Sequence, residues 1–274
     1  MPWPAYPPDR YLGQLDPGFQ QQMAANRAHL TREDCDFYHA AALPDGDVIP
    51  GAWDLRGRET EYLGSTDVSG LRVLELGPAT GHMTFFMERA GAEVVALDVG
   101  WDKCVDLLPR PGIELSWARM DIMRYIGATQ NSWWYLHREY GSSARAVYGS
   151  VYDIPADLGT FDCGFFGAIL LHLRDPFAAL SSAADHVADT IVVTDCVQEP
   201  ELDQAKNLMR FAPLDTRYPT HWWSMTAGAV VRMLERLGFT ETQVTFHTQL
   251  HHIDHDLTKP PQEVTMFTVV ARRP

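Results

Sequence analysis

Two stretches, residues 71–81 and 93–98, constrain the fold more than any other part of the chain. Val73, Leu74 and Leu76 surround a single acid, Glu75, and then Gly77, Pro78, Ala79, Thr80 and Gly81 break the run before a helical pattern begins. A second apolar run, Val94, Val95, Ala96 and Leu97, stops at Asp98. The order is strand, tight glycine turn, helix, strand, which opens a doubly wound α/β sheet. Such a sheet binds ligands beyond the carboxyl ends of its strands, where small residues let backbone approach and an acid accepts hydrogen bonds from ribose hydroxyls. The two stretches predict a nucleoside site.

The turn narrows the nucleoside. Dinucleotide sites space three glycines as G-x-G-x-x-G, and phosphate loops need a lysine followed by a hydroxyl residue. Neither pattern is present. The segment from Glu75 to Gly81 resembles the E-x-G-x-x-x-G turn of the class I S-adenosylmethionine-dependent methyltransferases. The resemblance implies that Glu75, Gly77, Ala79, Thr80 and Gly81 pack against the methionine and ribose of S-adenosylmethionine. By the same resemblance Asp98, with Val99 beside it, holds the ribose.

A narrower resemblance lies upstream. Phe37, Tyr38 and His39, then Leu43, Pro44, Asp45 and Gly46, then Pro50, Gly51, Trp53, Asp54, Leu55 and Arg56 are similar to the tRNA wobble-uridine carboxymethyltransferase-like group, which also contains many small-molecule methyltransferases. It covers most of residues 35–274 and assigns Trp53 and Arg56 to the cofactor. Gly149, Ser150, Val151, Tyr152 and Asp153 resemble the group's adenine loop, so Val151 and Tyr152 are expected to flank the adenine. Phe161 to Pro176 resembles the stretch whose loop lines the methyl-transfer site, which puts Gly167 and Ala168 against the sulfonium.

Composition bounds the partners. The 274 residues carry a net charge of -14, and the only lysines are Lys103, Lys206 and Lys259. Affinity for a phosphate backbone comes from clustered Lys and Arg, so nucleic acid is not an expected partner. Cys35, Cys104, Cys163 and Cys196 lack C-x-x-C spacing and read as reduced thiols of a cytoplasmic protein. No apolar run approaches the roughly 20 residues of a membrane span, and the proline-rich start does not read as a signal peptide.

Taken in order, residues 1–65 read as an N-terminal arm and cap, and 66–274 as the methyltransferase domain with a helical insertion at about 109–143. The arm is rich in proline and aromatics, and a helix follows from Pro17 to about Leu30. Arm and helix could cap their own site or cross to a partner subunit in a homo-oligomer. Asp45 and Gly46 mark a turn that pairs two short extended pieces. A short helix is expected from Trp101 to Leu108. In the insertion, aromatics at helical spacing, Trp133 and Trp134 among them, suit core packing or a lid, and Trp134 is carried as a substrate candidate. Strands are expected over 144–148, 161–171, 190–195, 241–247 and 264–271, with an irregular segment over 198–218 and a helix from the cap Thr226 to Leu237. The expected architecture is a Rossmann-like seven-stranded sheet, six strands parallel and one reversed.

Methyl transfer asks the protein mainly to align donor and acceptor and to exclude water. A base is needed only if the acceptor loses a proton, and His39, His172 and His221 are the candidates. Tyr38, Trp222 and Trp223, with Trp53, could wall an apolar acceptor pocket. The cluster from His251 to Asp256 reads as a solvated hairpin loop near the substrate entrance, and no metal is expected. The group's tRNA members use a carboxylated donor that needs cationic and phenolic partners. Here the expected tyrosine is Leu171, the expected arginine falls near Met266, and no lysine precedes Lys103. An unpaired carboxylate would be costly there, so the expected cofactor is S-adenosylmethionine itself. The expected activity is methyl transfer to a small-molecule acceptor of the secondary-metabolite kind. The alternatives are a tRNA wobble-uridine modifying enzyme and a non-catalytic nucleoside-binding scaffold.

Overall fold

A computed structural model describes residues 14–100, 105–109, 112, 114–212 and 219–274. The first elements among the described residues are helix α1 (Pro17–Ala25) and short strands β1 (Ala41–Ala42), β2 (Val48–Ile49) and β3 (Trp53–Asp54), then helix α2 (Glu59–Tyr62). The βα units follow as β4 (Arg72–Leu76), α3 (His82–Arg89), β5 (Glu93–Val99), α4 (Leu115–Tyr140), β6 (Arg145–Gly149), β7 (Phe161–Gly167), α5 (Pro176–Ala184) and β8 (Val187–Cys196). Strands β9 (Met209–Phe211) and β10 (Trp223–Met225), helix α6 (Ala227–Arg236) and strands β11 (Glu241–His251) and β12 (Gln262–Arg272) complete it.

One mixed sheet carries the molecule, in the order β3-β11-β12-β8-β7-β4-β5-β6. The pairs β4–β5, β5–β6, β4–β7 and β7–β8 are parallel. The pairs β8–β12, β12–β11 and β11–β3 are antiparallel, so β11 runs with the central strands while β12 and β3 oppose them. The sheet has eight strands where seven were expected. The eighth is β3, whose Trp53 and Asp54 pair with His251 and Leu250 at the edge. Two residues flanked by turns give no alternation to read, so this pairing is invisible locally.

The central strands are buried on both faces, which explains their continuous apolar runs. On one face Val73, Phe165, Val192 and Met266 pack with Tyr62, Phe85, Met87 and Trp133. On the other, Leu74, Leu76, Val95, Phe166 and Val193 pack with Leu180 of α5 and Val230 and Leu234 of α6. Each such side chain contributes about 1.5–3 kcal/mol by leaving water, and together they fix the strand ends that build the site.

Local departures have local causes. Helix α1 starts as expected, with Pro17 at its first position and Asp16 accepting from the Phe19 amide at 3.0 Å. It ends at Ala25, short of Leu30, because the Arg27 and Ala28 amides bond back three residues, to Ala24 and Ala25. The proline-rich arm and residues 101–104 lie outside the described residues, and residues 105–108 are not helical. Strand β7 stops at Gly167 rather than Leu171, since Ala168 takes a positive φ of 51° and Leu170–His172 forms a 3-10 turn. Part of the irregular segment before Tyr218 is strand β9, paired with β10. Among the described residues no helix is long and apolar enough to cross a membrane.

Candidate active site

The glycine turn sits at the carboxyl end of β4. Gly77 and Gly81 have φ of 72° and 84°, and the non-glycine Ala79 has 49°. A left-handed L-residue costs about 1–2 kcal/mol, so surrounding contacts must hold the turn. The Gly77 amide donates to the Leu97 carbonyl at 2.9 Å, which ties the turn to β5. A Cβ on Gly77 would stand 2.5 Å from Ile169 Cδ1, and one on Gly81 would stand 2.5 Å from Trp133 Cδ1 and 2.6 Å from Phe85 Cε2.

Beneath the turn runs a buried polar chain. Trp133 Nε1 donates to Thr84 Oγ1 at 3.1 Å, and Thr84 Oγ1 donates to the Glu75 carboxylate. Burial, against the Thr84 hydrogen bond, pushes Glu75 up to about 8. Glu75 is 2% exposed, and its protein partners anchor α3 under the turn.

Asp98 ends β5. Its Oδ1 accepts from the Val99 amide at 2.8 Å and its Oδ2 from Gln130 Nε2 at 3.0 Å. Gln130 also donates to the Val99 carbonyl at 3.0 Å. A carboxylate has about four acceptor positions, so Asp98 is oriented by two donors and keeps capacity for two more. Gln130 lies on the inserted helix, and no sequence signal marks it.

At the end of β6, Tyr152 donates to the Asp106 carboxylate and accepts from the Asp175 amide at 3.4 Å. Burial raises its hydroxyl well above the ordinary tyrosine range. Val151 packs beside it against the α5 and α6 face. At the end of β7, the Ala168 amide donates to the Thr194 carbonyl at 2.7 Å, so Gly167 and Ala168 lie flush with the end of β8.

The candidate bases fall into two groups. His172 Nδ1 lies 3.1 Å from the Thr220 carbonyl, and its ring centroid is 4.9 Å from that of His221. Burial pushes His172 down to about 3 and lowers His221. Trp222 Nε1 donates to the Asp106 carbonyl at 3.0 Å and Trp223 Nε1 to the Arg174 carbonyl at 3.2 Å. These four residues gather over the loop between β7 and α5. The second group belongs to the cap. His39 places both its amide and Nδ1 at 3.1 Å from Thr80 Oγ1, and burial, then the neighbouring His82, push it down to about 3. Both His39 and His172 are therefore neutral rings and weak bases at neutral pH.

Around His39, Tyr38 packs edge-on against His255 with centroids 5.6 Å apart, and Trp53 stacks on His251 at 4.2 Å. The hairpin loop from His251 thus closes against the cap and is not purely solvated. Arg56 makes a bidentate pair with Asp54, both bonds 2.7 Å. A cavity of about 190 Å³ lined by His39, Arg56, Thr80, His82 and Tyr140 opens between the cap and α3. Trp134 stands apart from both groups. Its Nε1 donates to the Tyr148 hydroxyl at 2.7 Å, and it lines a separate cleft with Ala24, Arg27 and His137. Its helical spacing reflects core packing.

A buried histidine–carboxylate contact links the cap to the turn. His82 Nδ1 lies 3.2 Å from the Ala40 carbonyl and Nε2 3.1 Å from Glu59 Oε1. Both partners offer acceptor oxygens to the ring. Burial acts to raise Glu59, but the His82 hydrogen bond and charge leave it lowered from 4.5. A depressed carboxylate stabilises the fold above its unfolded value and loses that contribution as pH falls through the folded value. Glu59→Gln is expected to lower unfolding free energy by about 1 kcal/mol at neutral pH and by less below about pH 4. Urea titrations at the two pH values read this, and an equal loss at both would contradict it.

A family model described as a methyltransferase domain matches residues 51–244. A comparison with curated proteins gives no match. Solved structures similar to this chain include the N-terminal domain of EvdMO1 with SAH bound, at 19% identity over 79% of this chain and 78% of that one, TM-score 0.44. Magnesium protoporphyrin IX methyltransferase from Synechocystis PCC 6803 with bound SAM is similar at 13% identity over 78% and 76%, TM-score 0.45. The Burkholderia thailandensis 1,6-didemethyltoxoflavin-N1-methyltransferase, with 1,6-didemethyltoxoflavin and S-adenosylhomocysteine bound, is similar at 13% identity over 100% and 93%, TM-score 0.47.

Proposed function

Because the chain belongs to the methyltransferase-domain family, we propose that it transfers the methyl group of S-adenosylmethionine to a small-molecule acceptor. The observation that carries this reading is the left-handed turn from Gly77 to Gly81 beside Asp98, whose carboxylate is oriented by Val99 and Gln130. Gly77 and Gly81 let the backbone take the left-handed turn where any Cβ would meet Ile169, Trp133 or Phe85, and Asp98 keeps acceptor positions for a ribose diol. Those features fit the donor's nucleoside. The cavity lined by Arg56, His39 and Thr80 suits its charged amino-acid tail.

The donor supplies an electrophilic methyl group on a sulfonium. The protein's part is to hold the acceptor in line with it and keep water away, work that can lower a barrier by several kcal/mol. Gly167 and Ala168 would back the sulfonium, and the Trp222 and Trp223 rings would wall the acceptor side. His172 and His221, held neutral by burial, serve as hydrogen-bonding partners rather than bases.

The rival wobble-uridine reading requires a carboxylated donor. At two positions where the resemblance asks for a phenol and a guanidinium, Leu171 and Met266 are apolar and buried at 4% and 1% exposure. A carboxylate facing them would lack a partner. The net charge of -14 likewise disfavours a polyanionic substrate. A role in natural-product tailoring and a cytoplasmic location belong to the same proposal.

A further inference from the structure

Resting on the proposed donor, we infer that Asp195 is the acceptor-side carboxylate of the methyl-transfer crevice, with its free oxygen turned to the atom that receives the methyl group. Asp195 lies at the carboxyl end of β8, opposite Ala168: Gly167 pairs with Thr194 in the sheet register, and the Ala168 amide donates to the Thr194 carbonyl at 2.7 Å. The side chain is 3% exposed. Its Oδ1 accepts from the Cys196 amide at 2.8 Å, and its Oδ2 is buried with no hydrogen-bond partner among the described residues. Buried carboxylate oxygens without partners are costly and mark a place where a ligand's donor completes the set. Here the unfilled oxygen stands next to the loop that backs the sulfonium.

Burial pushes Asp195 up to about 7, opposed first by the Cys196 amide and less by the Leu171 amide, which faces the carboxyl without completing a hydrogen bond to Oδ2. The titratable groups around it stay neutral near that pH. Burial raises Tyr38, Tyr62 and Cys196 far above it, and it pushes His172, on the 3-10 turn that carries Leu171, down to about 3. Asp195 is then the proton acceptor matched to neutral pH, where the histidines are too weak.

The acceptor class this suits is one whose nucleophilic atom sheds a proton on methylation, a hydroxyl above all. The acceptor's O–H bond breaks toward Asp195 Oδ2, and the freed oxygen pair forms the new O–C bond. The S–C electron pair stays on sulfur as a neutral thioether, and the proton on Asp195 returns to solvent.

The test uses the charge difference between S-adenosylmethionine, a sulfonium, and S-adenosylhomocysteine, a neutral thioether. Both would be titrated calorimetrically into wild type and Asp195→Asn at about pH 5.5 and about pH 8.5, on either side of the raised value. A carboxylate facing the sulfonium across a few ångströms should raise the preference for S-adenosylmethionine over S-adenosylhomocysteine about fivefold or more on going to the higher pH. That rise is expected in wild type and absent in Asp195→Asn, with Asp195→Ser as the second variant. A flat ratio in wild type, or a rise that survives either substitution, overturns the inference while leaving the donor reading intact. Failure of wild type to bind either compound overturns the donor reading and this inference with it.

Discussion

Asp98→Ala is expected to weaken S-adenosylmethionine binding on the order of 30- to 100-fold, with little loss of fold stability. A hydrogen bond to a charged group contributes about 1.5–3 kcal/mol, and each 1.4 kcal/mol is tenfold in affinity. The carboxylate is already oriented by the Val99 amide and Gln130 Nε2, so a ribose diol bound there would meet a group that loses little further freedom on binding. Stability should change little because burial raises the pKa of Asp98, a sign that its charged form is disfavoured in the folded chain. The second partner gives an internal control. Gln130→Ala should weaken binding less than Asp98→Ala, because it frees the carboxylate to turn without removing it. Isothermal calorimetry decides, and unaltered affinity in Asp98→Ala would move the ribose site elsewhere.

Gly81→Ala is expected to be the most damaging single methyl addition in the turn. Its φ of 84° alone costs an L-residue about 1–2 kcal/mol, and overpacking adds about 1–3 kcal/mol. The new Cβ would press on Trp133 Cδ1 and Phe85 Cε2, and both rings are buried in the core. Trp133 cannot step aside without breaking its bond to Thr84, which in turn holds Glu75. We expect an unfolding free energy lower by roughly 2–5 kcal/mol and loss of donor binding together. A variant with wild-type urea midpoint and wild-type affinity would show that the turn adapts.

The strength of the sequence signal followed the range of the contacts. Strands β4, β5, β6, β7 and β8 were readable because doubly covered parallel strands are continuous apolar runs, and the turn was readable because its backbone angles demand glycine. The Thr226 cap of α6 was equally local, its side chain accepting from the Ala229 amide. Strand β9 was hidden, since Met209, Arg210 and Phe211 are all exposed and alternate nothing. Asp98 was legible at the tip of its strand, whereas its clamp Gln130 comes from the inserted helix 32 residues away. The Glu59–His82 pair and the unpartnered oxygen of Asp195 exist only once distant elements meet. Trp134 shows the opposite failure: a periodic aromatic signal correctly marked a helix face, and that face packs against Arg27 and Tyr148 rather than lining the strand ends.

Whether the turn and Asp98 hold S-adenosylmethionine is decided by side-by-side calorimetric titration of the purified protein with S-adenosylmethionine, S-adenosylhomocysteine and the carboxylated donor. Dissociation constants on the order of micromolar are expected for the first two, with clearly weaker binding of the third. Preference for the carboxylated donor would contradict the reading of Leu171 and Met266 and return the wobble-uridine activity to first place, and no binding of any of the three would leave a nucleoside-fold scaffold without a donor.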